Sequence, residues 1–305
     1  MKTTLAWARS LAGEGTAIGD YLELTKPSVT SLILMSTLAG FYMGTRGSFL
    51  GTGVAPGSLV LLLNALAGTA LLAGGTAALN HCLESHTDAR MRRTEQRPLP
   101  AGRLRPARAL AFGLTLSAGG VLYLALAVNL LTSLLGLLTW SSYLFLYTPL
   151  KRRTTLCTLV GAFPGALPVL MGWTAARGSL DPGGWLLYAI LFLWQFPHFF
   201  AIAWMYREDY ARGGLVMLPV FDLPATARQI LAFSLALLLV SLLPTAMGMA
   251  GAVYICGAAL LGMAFLYSGF RLARKRSAVE ARRLLRASVL YLPLLYALLM
   301  LDKVT

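Results

Sequence analysis

Long apolar runs alternate along the chain with short stretches that hold nearly all of its charge. Nine such runs read as helices, at about Ser28–Met43, Leu59–Leu79, Ala109–Val128, Leu130–Thr148, Leu156–Ala176, Trp185–Met205, Ile230–Met249, Ala252–Phe270 and Ala287–Leu301. They span 15 to 21 residues, close to the ~20 that a helix needs to cross a bilayer. Only Asn129 separates the third run from the fourth. Joined as one helix the pair would be about 60 Å long, twice the hydrocarbon thickness, so a hairpin is expected there. The pattern predicts an all-α polytopic membrane protein of nine transmembrane helices.

Composition agrees with the pattern. Of 305 residues, 57% are hydrophobic and 12% charged, about half the charge of an ordinary soluble chain. That excludes a soluble enzyme, and the apolar excess excludes disorder. The formal charge of +14 would suggest a nucleic-acid partner in a soluble protein. Here the cations sort by loop, so the expected partner is the lipid bilayer and no nucleic acid is expected. With the N-terminus inside, the inside segments hold 23 of the 26 lysines and arginines, and only Arg46, Arg177 and Lys303 fall outside. Adding or losing one span would put a loop of seven cations on the wrong side, so the positive-inside bias favours a cytoplasmic N-terminus. The basic loop Arg271–Arg286 serves as an orientation signal with affinity for anionic lipid.

Residues 1–27 are broken by Arg9, Glu14, Asp20, Glu23 and Lys26. They resemble neither a signal nor a transit peptide, and read as a cytoplasmic lead-in to a single transmembrane domain, 28–305. The expected location is a bacterial inner membrane. Cys82, Cys157 and Cys256 are scattered and imply neither a disulfide framework nor a zinc site.

Candidate chemistry lies on the inside face, in the loops 80–108, 148–155 and 206–229. Asn80, Glu84 and Asp88 are spaced i, i+4, i+8, which on a helix confines them to an arc of about 80° over about 12 Å. Carboxylates at the membrane edge are costly unless paired or bound to a cation. Their oxygen ligands suit Mg²⁺, which is typically held by one or two carboxylates plus substrate phosphates; the alternative is that they balance the neighbouring arginines. A second acid group, Glu208-Asp209, lies between Arg207 and Arg212, and a third inside segment ends in Lys151-Arg152-Arg153. Together these form the inventory for a diphosphate bridged by Mg²⁺, with cations on the remaining oxygens. His198 follows Pro197 near the inside end of the sixth span. It suits a substrate contact, or a helix-end histidine bonded to a carbonyl freed by the proline. His81 and His86 fall off the Asn-Glu-Asp stripe and are expected to face solvent or headgroups. In the fifth span, Gly161, Pro164, Gly165, Pro168 and Gly172 suit either close helix contact or a widened cavity.

Three strings carry a resemblance that covers nearly the whole chain: Asn80…Glu84…Asp88 running into Met91-Arg92-Arg93-Thr94…Arg97-Pro98-Leu99; Tyr147-Thr148-Pro149-Leu150-Lys151-Arg152; and Gln195-Phe196-Pro197-His198-Phe199 followed by Arg207-Glu208-Asp209-Tyr210. The chain resembles the UbiA-type intramembrane prenyltransferases, and within them the heme-modifying branch. The resemblance implies nine helices around a central cavity, with two acidic motifs facing each other under cytoplasmic loops. It implies transfer of the farnesyl group of farnesyl diphosphate to a vinyl group of protoheme IX, with Mg²⁺ as cofactor and heme as substrate. A heme A synthase or another cytochrome oxidase assembly protein would be a partner. Asp88, Lys151 and Asp209 are then the expected catalytic residues. Metal would be held by Asn80, Glu84, Asp88, Glu208 and Asp209, the last two as alternatives. Diphosphate would be held by Arg93, Arg97, Lys151, Arg152, Arg207 and Arg212, and heme by His198. Two positions depart from the family pattern: Glu84 stands where Asp is common, and Gly213 where the second motif often ends in Asp. Prenylation of an aromatic quinone precursor and ion-coupled transport are the alternative readings.

Overall fold

The computed structural model describes residues 17–45, 47 and 56–304. Lys2, Arg9 and Glu14 of the lead-in and Arg46 of the first outside connection lie outside the described residues. Regular structure among the described residues is helical, apart from one isolated bridge between Ala250 and Lys303. In chain order the helices are α1 (Ala17–Leu24), α2 (Pro27–Gly44), α3 (Pro56–Asp88), α4 (Pro106–Ala127), α5 (Leu130–Leu150), α6 (Cys157–Arg177), α7 (Pro182–Met205), α8 (Arg207–Arg212), α9 (Leu218–Phe221), α10 (Leu223–Ala246), α11 (Ala252–Lys275) and α12 (Ala278–Leu301). Among the described residues, eight of these, α3 to α7 and α10 to α12, are long and apolar enough to cross a membrane. The chain is a multi-pass membrane protein. Helix α2 lies where the first span is expected, but Ser28, Thr30, Ser31, Ser36 and Thr37 interrupt it and it is not among the eight.

Several boundaries differ from the hydropathy pattern because polar helix ends continue past the apolar runs. Helix α3 has 33 residues and is therefore about 50 Å long, so its last turns, with Asn80, Glu84 and Asp88, extend beyond the apolar run. The basic loop Arg271–Arg286 is largely helical: α11 reaches Lys275, Arg276 takes a left-handed conformation, and Ser277 caps α12 by accepting from the Glu280 amide. The buried Glu280 carboxylate accepts from Arg271 at 3.0 Å and Arg283 at 2.8 Å, which lets charged helix ends lie side by side. Between α4 and α5 the hairpin is present. Asn129 caps α5 by accepting from the Thr132 amide and donates to the Thr174 carbonyl of α6.

The helices differ sharply in burial. In α6 and α7, 72% and 67% of the spanning window is buried, against 28–39% in the other spans. Helix α6 reaches the centre because its small residues admit neighbouring backbones: a Cβ on Gly172 would run into the Thr37 carbonyl of α2, and one on Gly40 into the Val169 carbonyl of α6. The glycines at this crossing therefore serve close contact, not a wider cavity. Backbone atoms cannot step aside as a flexible side chain can. Gly172→Ala is accordingly expected to cost at least the ~1–3 kcal/mol of ordinary overpacking, read as a lower midpoint of thermal unfolding in detergent. At the far end of the bundle, Lys303 donates to the carbonyls of Tyr42, Thr45 and Gly47, while Asp302 accepts from the Tyr254 amide at the start of α11. These contacts tie the end of the chain to α2 and α11.

Candidate active site

The stripe at the end of α3 is arranged as the spacing requires, and each of its three groups takes a cation from a different segment. Asn80 Oδ1 accepts from Lys26 Nζ at 2.8 Å, Glu84 Oε1 from Lys151 Nζ at 2.8 Å, and Asp88 Oδ2 from Arg97 Nη1 at 2.7 Å. Asn80 also donates to Thr148 Oγ1 at 3.3 Å. The loop after α3 folds back on its own helix end: Thr94 Oγ1 donates to the Asp88 carbonyl at 2.9 Å, which brings Arg97 round to the Asp88 carboxylate. Asn80 and Asp88 are 1% and 2% exposed, so the oxygen side of these contacts is buried.

Lys151 reaches Glu84 through a local irregularity in α5. Ser142–Tyr147 form a π-helical turn, just ahead of Pro149. A proline in a helix has no N–H to donate and crowds the carbonyl four residues earlier; a widened turn relieves that conflict, and such turns recur at functional sites. The Thr148 amide then bonds to the Tyr143 carbonyl, five residues back. Tyr143, Tyr147 and Lys151 follow at intervals of four and all line one cavity, with Lys151 Nζ 4.5 Å from the Tyr147 ring centroid. Burial disfavours a charged amine at Lys151, but the Glu84 carboxylate outweighs it and holds the group well above the ordinary lysine value.

This cavity, about 140 Å³, is lined by four cations, Lys26, Arg93, Arg97 and Lys151, against two carboxylates, Glu84 and Asp88. Apolar and aromatic groups, among them Met91, Tyr143, Tyr147 and Tyr210, complete its wall. Arg93 lies over the rings of Tyr206 at 5.1 Å and Tyr210 at 6.0 Å. Burial raises the Tyr210 phenol above its ordinary value, so it stays neutral beside the cations.

The second acid group stands in an adjoining cavity of about 280 Å³. Arg92, Arg207, Glu208, Asp209, Arg212 and Arg276 line it. The buried Asp209 carboxylate accepts from the Arg92 amide at 3.2 Å and is paired with Arg212. The segment Met91–Arg93 links the two spaces: Met91 and Arg93 line the first, Arg92 the second. The single shared site expected from the sequence is thus two adjacent cavities. Arg207, Glu208, Asp209 and Arg212 lie on the second, where α8 turns their side chains. Arg152 is exposed and lines neither cavity, because only Lys151 of that basic run points inward. His198 lies apart from both, stacked on Trp194 with ring centroids 4.6 Å apart.

Two further residues depart from the expectations. Lys26, placed in the lead-in, is a wall of the first cavity. Helix α1 is pinned to the connection between α3 and α4 by Arg103, which bonds Asp20 at 2.8 Å and Glu23 at 2.9 Å. Lys26 itself takes a left-handed conformation ahead of Pro27, and this aims its amine at Asn80. Burial, with Arg97 adding repulsion, pushes Lys26 down to about 7. Its signal in the sequence was a charged residue two positions before the first apolar run. His81, expected at the surface, is 2% exposed: Leu24, Leu99, Leu104 and Ala109 cluster against Ala78 and partly buried Cys82 on the adjoining flank of α3, covering a side that periodicity leaves open. His86 is exposed as expected.

Among the described residues no three His, Cys, Asp or Glu side chains form a ready-made metal cage. Mg²⁺ needs none, since substrate phosphates can complete its shell, and Asn80, Glu84 and Asp88 present a line of oxygens, each bonded to a side-chain cation. The arrangement offers carboxylate oxygens suited to a cation beside lysines and arginines suited to an anion.

Comparison with known proteins points the same way. Residues 33–293 match the UbiA prenyltransferase family. The chain is 55% identical over 287 residues to the protoheme IX farnesyltransferase of Solibacter usitatus (strain Ellin6076), covering 93% of this chain and 98% of that one. It is 48% identical over 285 residues to the protein of the same name from Salinibacter ruber, with coverage of 93% and 98%. Among solved structures it is similar to digeranylgeranylglyceryl phosphate synthase, with a TM-score of 0.76 at 15% identity over 93% of this chain and 98% of that one. It is also similar to a UbiA homolog from Archaeoglobus fulgidus bound to DMAPP and Mg²⁺, with a TM-score of 0.66 at 16% identity over 92% and 99%. At these identities the structures show a shared fold.

Proposed function

Because the chain belongs to the UbiA prenyltransferase family, we propose that it transfers the farnesyl group of farnesyl diphosphate to a vinyl group of protoheme IX, with addition of one water as the hydroxyl of the product, giving heme O and releasing diphosphate. The observation that carries the diphosphate half of this reading is the first cavity, where four cations and an Asn-Glu-Asp stripe meet beside aromatic rings. The near full-length relatives named protoheme IX farnesyltransferase support the choice of acceptor.

Bound Mg²⁺ would neutralise charge on the diphosphate and favour its departure. Asn80, Glu84 and Asp88 would hold it, with Asp209, and Glu208 beside it, as the acids from the adjoining cavity. Within the chain, Lys151, Arg97, Arg93 and Lys26 bind the diphosphate oxygens and stabilise the negative charge that develops as the carbon–oxygen bond breaks. Asp88 and Glu84 hold Arg97 and Lys151 in position before substrate arrives. The neutral rings of Tyr143, Tyr147 and Tyr210 line the same space, keep bulk water from the allylic cation and present electron-rich faces to positive charge. Counting α2 as a span gives nine, and the positive-inside bias then puts the N-terminus and both cavities on the cytoplasmic face of a bacterial inner membrane. A heme A synthase or another oxidase assembly protein would take up the product.

The low value at Lys26 sets a pH dependence. Below pH 7 the amine is already charged. Above it the empty site holds a neutral amine, and an arriving anion must bring a proton with it. The affinity for magnesium pyrophosphate, taken as the ratio of wild type to Lys26→Met so that titration of the ligand cancels, is expected to fall as pH rises through 7, by up to about tenfold per unit. Calorimetric titration between pH 6 and 8.5 measures it, and a ratio that stays flat would remove Lys26 from the diphosphate site.

The reaction itself is tested with purified full-length protein in detergent, Mg²⁺, farnesyl diphosphate and either protoheme or an aromatic acid acceptor. Heme O formed only with protoheme is the expected result. A prenylated aromatic product would move the chain to quinone chemistry, and absence of pyrophosphate release with every acceptor would overturn both enzyme readings.

A further inference from the structure

His198 is polar, half-buried within the spanning helix α7, and used by neither cavity. Its surroundings are specific. His198 Nδ1 lies 2.8 Å from Ser288 Oγ of α12. The same hydroxyl donates to the Leu285 carbonyl of its own helix at 2.7 Å. Trp194, one turn before His198, stacks on the imidazole with planes 22° apart and donates from Nε1 to the Ser288 carbonyl at 2.9 Å. Ring plane and hydroxyl are therefore held by one clamp between α7 and α12.

The clamp decides the protonation of the ring. A serine hydroxyl has a single proton, and here it goes to Leu285. Toward His198 the oxygen can only accept, so Nδ1 carries the hydrogen. Among the described residues no carboxylate pairs with the ring, and inside a spanning helix the neutral imidazole avoids the cost of burying an unpaired charge. The lone pair is then on Nε2. Among the described residues that nitrogen has no hydrogen-bond partner, and it is not one of the buried polar atoms sealed away without one. An imidazole whose Nδ1–H is fixed by a neighbour and whose Nε2 stands open is the arrangement that proteins use to ligate iron. His198 stands seven residues, about 10 Å, before the end of α7 at Met205, which lines the second cavity. A porphyrin ligated there would lie within the apolar layer, with its reactive edge below the charged end of the bundle.

We infer that Ser288 is a positioning residue: it holds His198 as the Nδ1-protonated tautomer and so presents Nε2 as an axial ligand to the iron of the porphyrin acceptor. This rests on the proposed use of protoheme. Trp194 fixes the ring plane, and Ser288 fixes which nitrogen is free.

Full-length protein in detergent is titrated with ferric protoheme and followed by absorption and electron paramagnetic resonance, alongside heme O formation by the wild type. The wild type is expected to show an imidazole-ligated iron. His198→Ala should lose that signature and regain it with added imidazole. Ser288→Ala should shift the signature and weaken protoheme binding about 10–100-fold, as loss of a partner to a metal-ligating histidine does, and Ser288→Thr, which keeps the hydroxyl, should restore both. If the wild type makes heme O while His198→Ala binds protoheme with an unchanged spectrum, the inference fails and the function stands. An unchanged spectrum and affinity in Ser288→Ala also overturns it. If the wild type neither binds protoheme nor makes heme O, the acceptor reading itself is wrong.

Discussion

Asp88→Asn is expected to release pyrophosphate from farnesyl diphosphate about 10²–10³-fold more slowly than the wild type, the scale on which removal of one preorganised electrostatic contact acts. The substitution keeps the shape of the side chain and removes only its charge. Two effects then coincide. The Asn-Glu-Asp stripe loses one of its two carboxylates for Mg²⁺, and Arg97, held at 2.7 Å by Asp88, loses the partner that aims it into the cavity. Arg97 is 21% exposed on its side chain, so it can turn partly to water, and folding should suffer less than activity. Steady-state pyrophosphate release at increasing Mg²⁺ is the measurement, with a higher Mg²⁺ requirement expected alongside the slower rate. Full activity with an unchanged Mg²⁺ dependence would show that Asp88 belongs to an ion pair and nothing more.

Lys151→Met should damage both stability and rate. Glu84 and Lys151 lie 2.8 Å apart with side chains 15% and 10% exposed, and removing one partner of a buried pair leaves an uncompensated charge at a cost of about 3–5 kcal/mol. The same change removes the most deeply set cation of the first cavity, so pyrophosphate release should fall about 10²-fold or more. A double-mutant cycle separates the two consequences. In Glu84→Gln/Lys151→Met the unpaired charge is gone, and thermal stability should return most of the way to that of the wild type while activity does not. Recovery of activity together with stability would mean that the pair only holds α3 against α5.

The periodicity of the sequence was sufficient for the parts of this protein that depend on one helix at a time. Asn80, Glu84 and Asp88 share a face because helix geometry puts residues four apart on one stripe, whatever surrounds them. The hairpin at Asn129 follows from bilayer thickness, and the side chain that marks the break also caps the next helix. Charge sorting by loop gives an expected orientation, because cations at helix ends are retained where they are inserted.

What spacing could not reach are contacts between segments far apart in the chain. Lys26 reads as part of a lead-in and lies 54 residues from Asn80, yet it bonds it. Its direction comes from its own left-handed backbone at the end of α1, a helix that Arg103 holds through Asp20 and Glu23. The π turn at Ser142–Tyr147 is a local answer to Pro149, but only the neighbouring α3 makes it matter, by offering Glu84 to the lysine it turns inward. The same holds for Glu208 and Asp209: their motif could be named from the sequence, but the fold of the Met91–Arg93 segment assigns them to a second cavity. The tautomer of His198 depends on a hydroxyl 90 positions away. By itself the sequence determined most of the helices, the hairpin and most of the ionisable inventory, since these follow from apolar length and period along a single segment. Tertiary structure alone decided which cation meets which oxygen and which glycines are contacts, because pairing and close approach are properties of two surfaces, and a period describes only one.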